Sequence, residues 1–143
     1  MVGFLIAIVS GILMSLQGVF NTEVTKNSTI WSSASFVHFT ALLVCLAAWL
    51  LKERTGFADV FSVRPRYLLL GGAIGAFITY TVIVSMDAMG PAKAVMFIVT
   101  AQIISAYLIE VLGMFGVEKQ PLTMQKILGM IVTIAGIIVF KWR

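Results

Sequence analysis

An all-α integral membrane protein with five transmembrane helices is predicted by three observations: five separate apolar runs, very few charges, and aromatic residues at the ends of the runs. Of 143 residues, 60% are hydrophobic and 11% charged, where a soluble domain carries about 25% charged residues. The mean hydropathy is +1.05. The runs are residues 2–20, 31–51, 67–86, 92–115 and 123–142, and they form one transmembrane domain over 1–143. Trp31, Trp49, Tyr67 and Trp142 lie near run ends, where amphipathic rings settle at the headgroups.

The first run, MVGFLIAIVSGILMSLQGVF, lacks a basic start and a small-residue cleavage site, so it reads as a retained helix rather than a signal peptide. Gly3, Ser10, Met14, Gln17 and Asn21 fall on one helical stripe. The second run repeats the device with Trp31, Ser35, His38 and Cys45. Small and polar residues on one stripe face protein rather than lipid. In the third run Gly71, Gly72, Gly75 and Ala76 form overlapping small-xxx-small pairs, which predict close helix approach. Gly90-Pro91 opens the fourth run: glycine ends the preceding helix, and proline fits a first turn that needs no amide partner. This stretch, Gly90 to Gly116, exceeds the ~30 Å hydrocarbon core at ~1.5 Å per residue. The fifth run carries Gly129, Thr133 and Gly136 on one face and reads as a packing helix. Connections are short except KERTGFADVFSVRPR, residues 52–66, in which Phe57, Val60 and Phe61 have helical spacing. That spacing suits a short turn on the membrane surface, and a simple polar loop is the alternative.

The net charge of +4 and pI near 9.5 come without a basic stripe or aromatic interleaving, so no nucleic-acid partner is expected. The bilayer is the environment that the cations at run ends answer to. An odd number of spans puts the termini on opposite sides. Lys52, Arg54, Arg64, Arg66, Lys119 and Lys126 share the side of the N-terminus, and Lys26, Lys93, Lys141 and Arg143 take the other. Six against four is a weak bias where the positive-inside rule gives a clear one. Insertion in both orientations and insertion in one both remain open on that count.

Cys45 is the only cysteine and His38 the only histidine, so neither a disulfide framework nor a metal site is expected. There is no nucleophile elbow, HExxH or phosphate-cradling glycine loop. No enzymatic activity and no cofactor are expected. What remains is a set of polar groups within apolar runs, each of which needs protein or water partners in hydrocarbon. Glu110 is the candidate proton-binding group, because burial favours the neutral form of a carboxyl and a neutral carboxyl exchanges its proton for substrate. The competing reading is a helix-end glutamate paired with a lysine such as Lys119. Gln17 and Asn21, one turn apart, offer donors and acceptors to a polar substrate, or act as interhelical glue. Gln102, deeper in its run, is a candidate cavity-lining residue. His38 is either a proton relay or a hydrogen-bonded packing residue. Tyr80 and Tyr107 supply either an aromatic wall for a cation or ordinary packing. Glu23 and Asp87 sit closer to run ends and read as structural.

These residues fall into motifs. Gly11…Gln17…Asn21 resembles the first-helix signature of the YdcZ-type family of the drug/metabolite transporter superfamily. Ser35-Phe36 matches its second-helix Ser-Phe, and Gly71-Gly72…Gly75…Tyr80 is similar to its third helix. Gln102…Ser105…Glu110…Gly113…Gly116, then Pro121-Leu122 and Leu128-Gly129, is similar to the family's most specific pattern. Glu110 stands where the family has Asp, and Ala101 where it has Gly. VHFT follows Ser-Phe, so His38 inherits no family role. The small multidrug-resistance relatives carry a first-helix glutamate that has no counterpart here, where Ser10 and Met14 stand among apolar neighbours.

The resemblance implies a five-helix unit equivalent to half of a ten-helix inverted-repeat transporter in the inner membrane of a bacterium. It further implies an antiparallel homodimer, or a heterodimer with a related five-helix chain. The expected function is proton-coupled export of a small polar or cationic organic molecule, with Glu110 as proton carrier and Gln17, Asn21 and Gln102 meeting the substrate. The alternatives are a small dual-topology channel and a non-transporting membrane partner subunit.

Overall fold

A computed structural model describes residues 1–54 and 56–141 of the chain. Trp142 and Arg143, assigned above to the aromatic belt and the charge count, lie outside the described residues, as does Thr55 in the long connection. The described residues are helical and contain no strand.

Helix α1 is Val2–Thr25, α2 is Ile30–Ala48, α3 is Gly71–Met89, α4 is Pro91–Leu112 and α5 is Met124–Lys141. A π-helical turn, Trp49–Glu53, extends α2, and a 3-10 turn, Arg66–Leu70, leads into α3. Four continuous apolar helical stretches, Val2–Thr25, Ile30–Glu53, Arg66–Met89 and Pro91–Leu112, are long enough to cross a membrane. The apolar part of α5, Met124–Phe140, is shorter. At its full 18 residues α5 is about 27 Å long.

Local chemistry explains most of the boundaries. Thr29 caps α2, its hydroxyl oxygen accepting from the Ser32 amide at 3.2 Å. Arg54 ends the π turn in the left-handed region, with its amide bonded to the Trp49 carbonyl at 3.0 Å and its Nε to the Leu50 carbonyl at 2.7 Å. Gly90, at φ 83, and Pro91 open α4 as their chemistry requires. At the far end Gly113, at φ 65, stops α4. That position demands glycine twice over, because a side chain is strained at this φ and a Cβ would lie 3.2 Å from the Lys119 Cβ. The first helix runs beyond residue 20 to Thr25 because nothing in Asn21–Thr25 breaks it. Residues 57–62 form a 3-10 turn, on which Phe57 meets Trp49 edge-on at 5.7 Å.

The chain divides into two compact units, Met1–Ala88 with α1–α3 and Met89–Arg143 with α4 and α5. In the first unit α3 packs against both α1 and α2. Gly18 of α1 faces Met86 and Val82 of α3. On α2, Ser33 is 1% exposed and its hydroxyl donates to the Asn21 carbonyl of α1 at 3.2 Å. The Trp31 ring stacks on Tyr80 at 5.0 Å and meets Phe77 edge-on at 6.5 Å. Ala34, Thr79, Ile83 and Met86 complete the buried centre of this unit.

The packing faces differ from the predicted stripes. On α1, Gly18 and Asn21 are buried, while Gly3, Ser10, Met14 and Gln17 are exposed. On α2 the buried residues are Ser33 and Ala34 rather than Ser35 and Cys45. A Cβ on Gly71 or Gly72 would meet nothing within 4 Å, so of the three α3 glycines only Gly75 has a close neighbour, the His38 ring. In the second unit Gly129 and Gly136 are equally open. The physical reason is that helices apolar all round carry no amphipathic signal, and the face is chosen by which small residues meet a fitting bulky one.

Candidate functional site

Two concave regions, one in each unit, hold most of the predicted residues. The first is a groove of about 540 Å³ between α1 and α2, lined by Gln17, Asn21, Phe20, Thr40 and Cys45 among apolar neighbours. Gln17 and Asn21, one turn apart on α1, both line it, although only Asn21 is buried. The Asn21 backbone carbonyl also accepts the hydroxyls of Thr25, at 2.8 Å, and Ser33. This fixes the end of α1 that presents the Asn21 side chain. Cys45 is exposed, which places a lone thiol on the wall of the same groove.

The second is a cavity of about 450 Å³ between α4 and α5, lined by Tyr107, Glu110, Lys126, Gly129, Met130 and Thr133 together with Ile103 and Ala106. Glu110 and Tyr107 are three residues apart on α4 and so share a face. The Glu110 carboxylate accepts from the Lys126 ammonium at 3.1 Å, and both side chains are 44% exposed. The same ammonium lies 5.0 Å from the centre of the Tyr107 ring, within the range of a cation–π contact. Tyr107 is buried, and its hydroxyl accepts the Thr123 amide at 3.0 Å. The Gln120 amide donates to the Glu110 carbonyl at 2.9 Å. These two bonds return the connection over the end of α4 and set the start of α5 beside it.

Glu110 is therefore paired with a lysine, but the partner is Lys126 rather than Lys119. Lys119 packs over Gly113 instead. The sequence held the spacing without showing how the chain turns back. Of the two tyrosines, Tyr107 carries a cation on its face and Tyr80 is covered by Trp31. Gln102 is exposed at the middle of α4. His38 is half-buried, with its Nε2 3.3 Å from the Thr79 hydroxyl, an interhelical hydrogen bond whose donor depends on the imidazole tautomer. Glu23 pairs with Lys26 one turn on at 2.6 Å. Asp87 and Lys26 line a smaller pocket of about 350 Å³ with Thr22 and Thr25. Among the described residues no cluster of side chains is suited to a metal.

The sequence stripe did not single out Ser33, Thr79 or Lys126. Lys126 was legible only as a cation near a helix end. Ser33 is one of three serines in Ser32-Ser33-Ala34-Ser35, and it is the one that faces α1, donating to the Asn21 carbonyl.

No curated protein and no solved structure matches the chain. A family model does, over residues 2–139, and its description is "Putative inner membrane exporter, YdcZ". With four helices able to cross a bilayer, the chain is a multi-pass inner-membrane protein, and it belongs to the YdcZ family of membrane exporters.

Proposed function

We propose that the chain is one subunit of a proton-coupled exporter for a small polar or cationic organic molecule, working as an antiparallel dimer or with an oppositely oriented relative. The observation that carries this reading is the exposure of Gln17 and Gln102 well inside helices that hydrocarbon would otherwise surround. Leaving an amide unpaired in an apolar medium costs several kcal/mol, on the order of 2–7. Such side chains therefore face a water-filled path or a second chain. The family description supports export, and the near-even distribution of Lys and Arg is compatible with opposed orientations. Inverted repeats around a midplane site are a recurring design of secondary transporters.

In this mechanism the α1–α2 groove offers the substrate the Gln17 and Asn21 amides, and Glu110 carries the proton. The Glu110–Lys126 contact opens when the Glu110 carboxylate takes a proton or a cationic substrate in place of the lysine, and that competition for one carboxylate couples the two fluxes. The test is reconstitution into vesicles with an imposed proton gradient and a panel of small organic cations and neutral polar solutes. Solute-driven proton movement is read with an internal pH dye. The expected result is coupled flux for at least one solute, abolished in Glu110→Gln while cross-linking still yields a dimer. Coupled flux unchanged in Glu110→Gln removes Glu110 from the mechanism, and flux that persists without proton movement favours a channel.

A further inference from the structure

We infer that Glu110 and Tyr107 form a seat for a primary ammonium group, and that Lys126 is its built-in occupant. An external alkylammonium then binds only by displacing Lys126. The seat has the two components that recognise such a group: a carboxylate oxygen at 3.1 Å and an aromatic face at 5.0 Å from the same nitrogen. It is fixed by backbone rather than by the lysine. Tyr107 is buried and held by the Thr123 amide, and the Glu110 carbonyl is held by the Gln120 amide.

The occupant, by contrast, is a compact charge on a flexible four-carbon stem, and nearly half of its side chain is exposed. The adjoining cavity of about 450 Å³ is walled by Ile103, Ala106 and Met130, which suits a short alkyl chain. One ammonium fills the seat. A protein whose seat is occupied by its own lysine binds an external amine with an affinity reduced by the fraction of time the seat is empty. The ligand class is thus a primary alkylammonium, and Lys126 sets the threshold for it. The bearing of this seat on export rests on the role of Glu110 proposed above, but the binding is read without flux.

The experiment compares the wild-type chain with Lys126→Ala, both purified and monodisperse, using n-propylammonium chloride as probe. Propylammonium restores the three carbons and the nitrogen that the substitution removes. Binding is followed by titration calorimetry against matched sodium chloride. The expected result is at least ~10-fold tighter binding to Lys126→Ala than to wild type, the ratio for a seat filled about nine-tenths of the time. The gain is lost in Lys126→Ala/Glu110→Gln. Equal affinity for wild type and Lys126→Ala, or a gain that survives in the double variant, overturns the assignment. If Lys126→Ala does not fold, Lys126→Met with methylammonium gives the same comparison, since methionine retains most of the stem. Wild type without coupled flux counts against the transport reading and leaves these binding outcomes fully readable.

Discussion

Gly18 of α1 and Met86 of α3 meet so closely that a Cβ on Gly18 would lie 2.5 Å from the methionine Cε and 2.8 Å from its Sδ. Met86 is buried at this contact, and methionine adapts to irregular space better than a branched side chain. Gly18→Ala is therefore expected to destabilise the first unit by no more than about 1 kcal/mol, at the low end for overpacking, because the flexible end of Met86 can swing aside while Val82 at 3.2 Å gives less. Met86→Ala alone costs about 2–5 kcal/mol through the cavity it leaves. The two changes share one contact, so the double variant loses less than their sum. Unfolding midpoints in a detergent series measure all three, and strict additivity would show that the two side chains do not meet.

Ser33 tests the α1–α2 contact. Its hydroxyl is buried and bonded across the helices to the Asn21 carbonyl at 3.2 Å. Ser33→Ala is expected to cost about 1 kcal/mol, in line with single interhelical hydrogen bonds. The neighbouring exposed Ser35, changed to Ala, is expected to leave the midpoint within about 0.5 kcal/mol, as for surface substitutions. The reverse order of effects would place the packing face on the other side of α2.

Tyr107 separates two roles on one side chain. Tyr107→Phe removes the acceptor of the Thr123 amide but retains the ring below Lys126. It is expected to cost about 1 kcal/mol in stability while leaving the Lys126 contact in place. Tyr107→Leu removes both and is expected to weaken propylammonium binding to the Lys126→Ala background. Equal binding with Phe and Leu at this position would exclude a role for the ring face.

Cys45 reports on the α1–α2 groove without any substitution. It is exposed and lines the same wall as Gln17 and Asn21. Alkylation with a bulky maleimide is expected to block flux, and methylthiolation, which adds far less volume, to reduce it less. Full flux after stoichiometric maleimide labelling would remove this groove from the substrate path.

The all-helical, membrane-spanning fold was legible because composition and run length decide it, and Gly90-Pro91 fixed the start of α4 through backbone chemistry alone. The packing faces were not. Gln17 and Gly18 are adjacent in sequence, yet the stripe reading favoured the polar residue and the structure buries the small one, because Met86 supplies a shape that fits glycine. Glu110 was legible as a carboxyl inside an apolar run, and its pairing with a lysine was one of the two readings open. Choosing Lys126 over Lys119 required the turn at Gly113 and the return bond from Gln120, which no periodicity encodes.

The orientation of the chain in its native membrane decides whether two copies can form an antiparallel exporter. Cys45 is replaced by Ser, a single cysteine is placed at the C-terminus, and intact cells are labelled with a membrane-impermeant thiol reagent before and after lysis. Two comparable populations are expected, one labelled in intact cells and one labelled only after lysis, as an antiparallel homodimer requires. Labelling confined to one side would contradict the homodimer, and would make an oppositely oriented partner chain the missing half of the exporter.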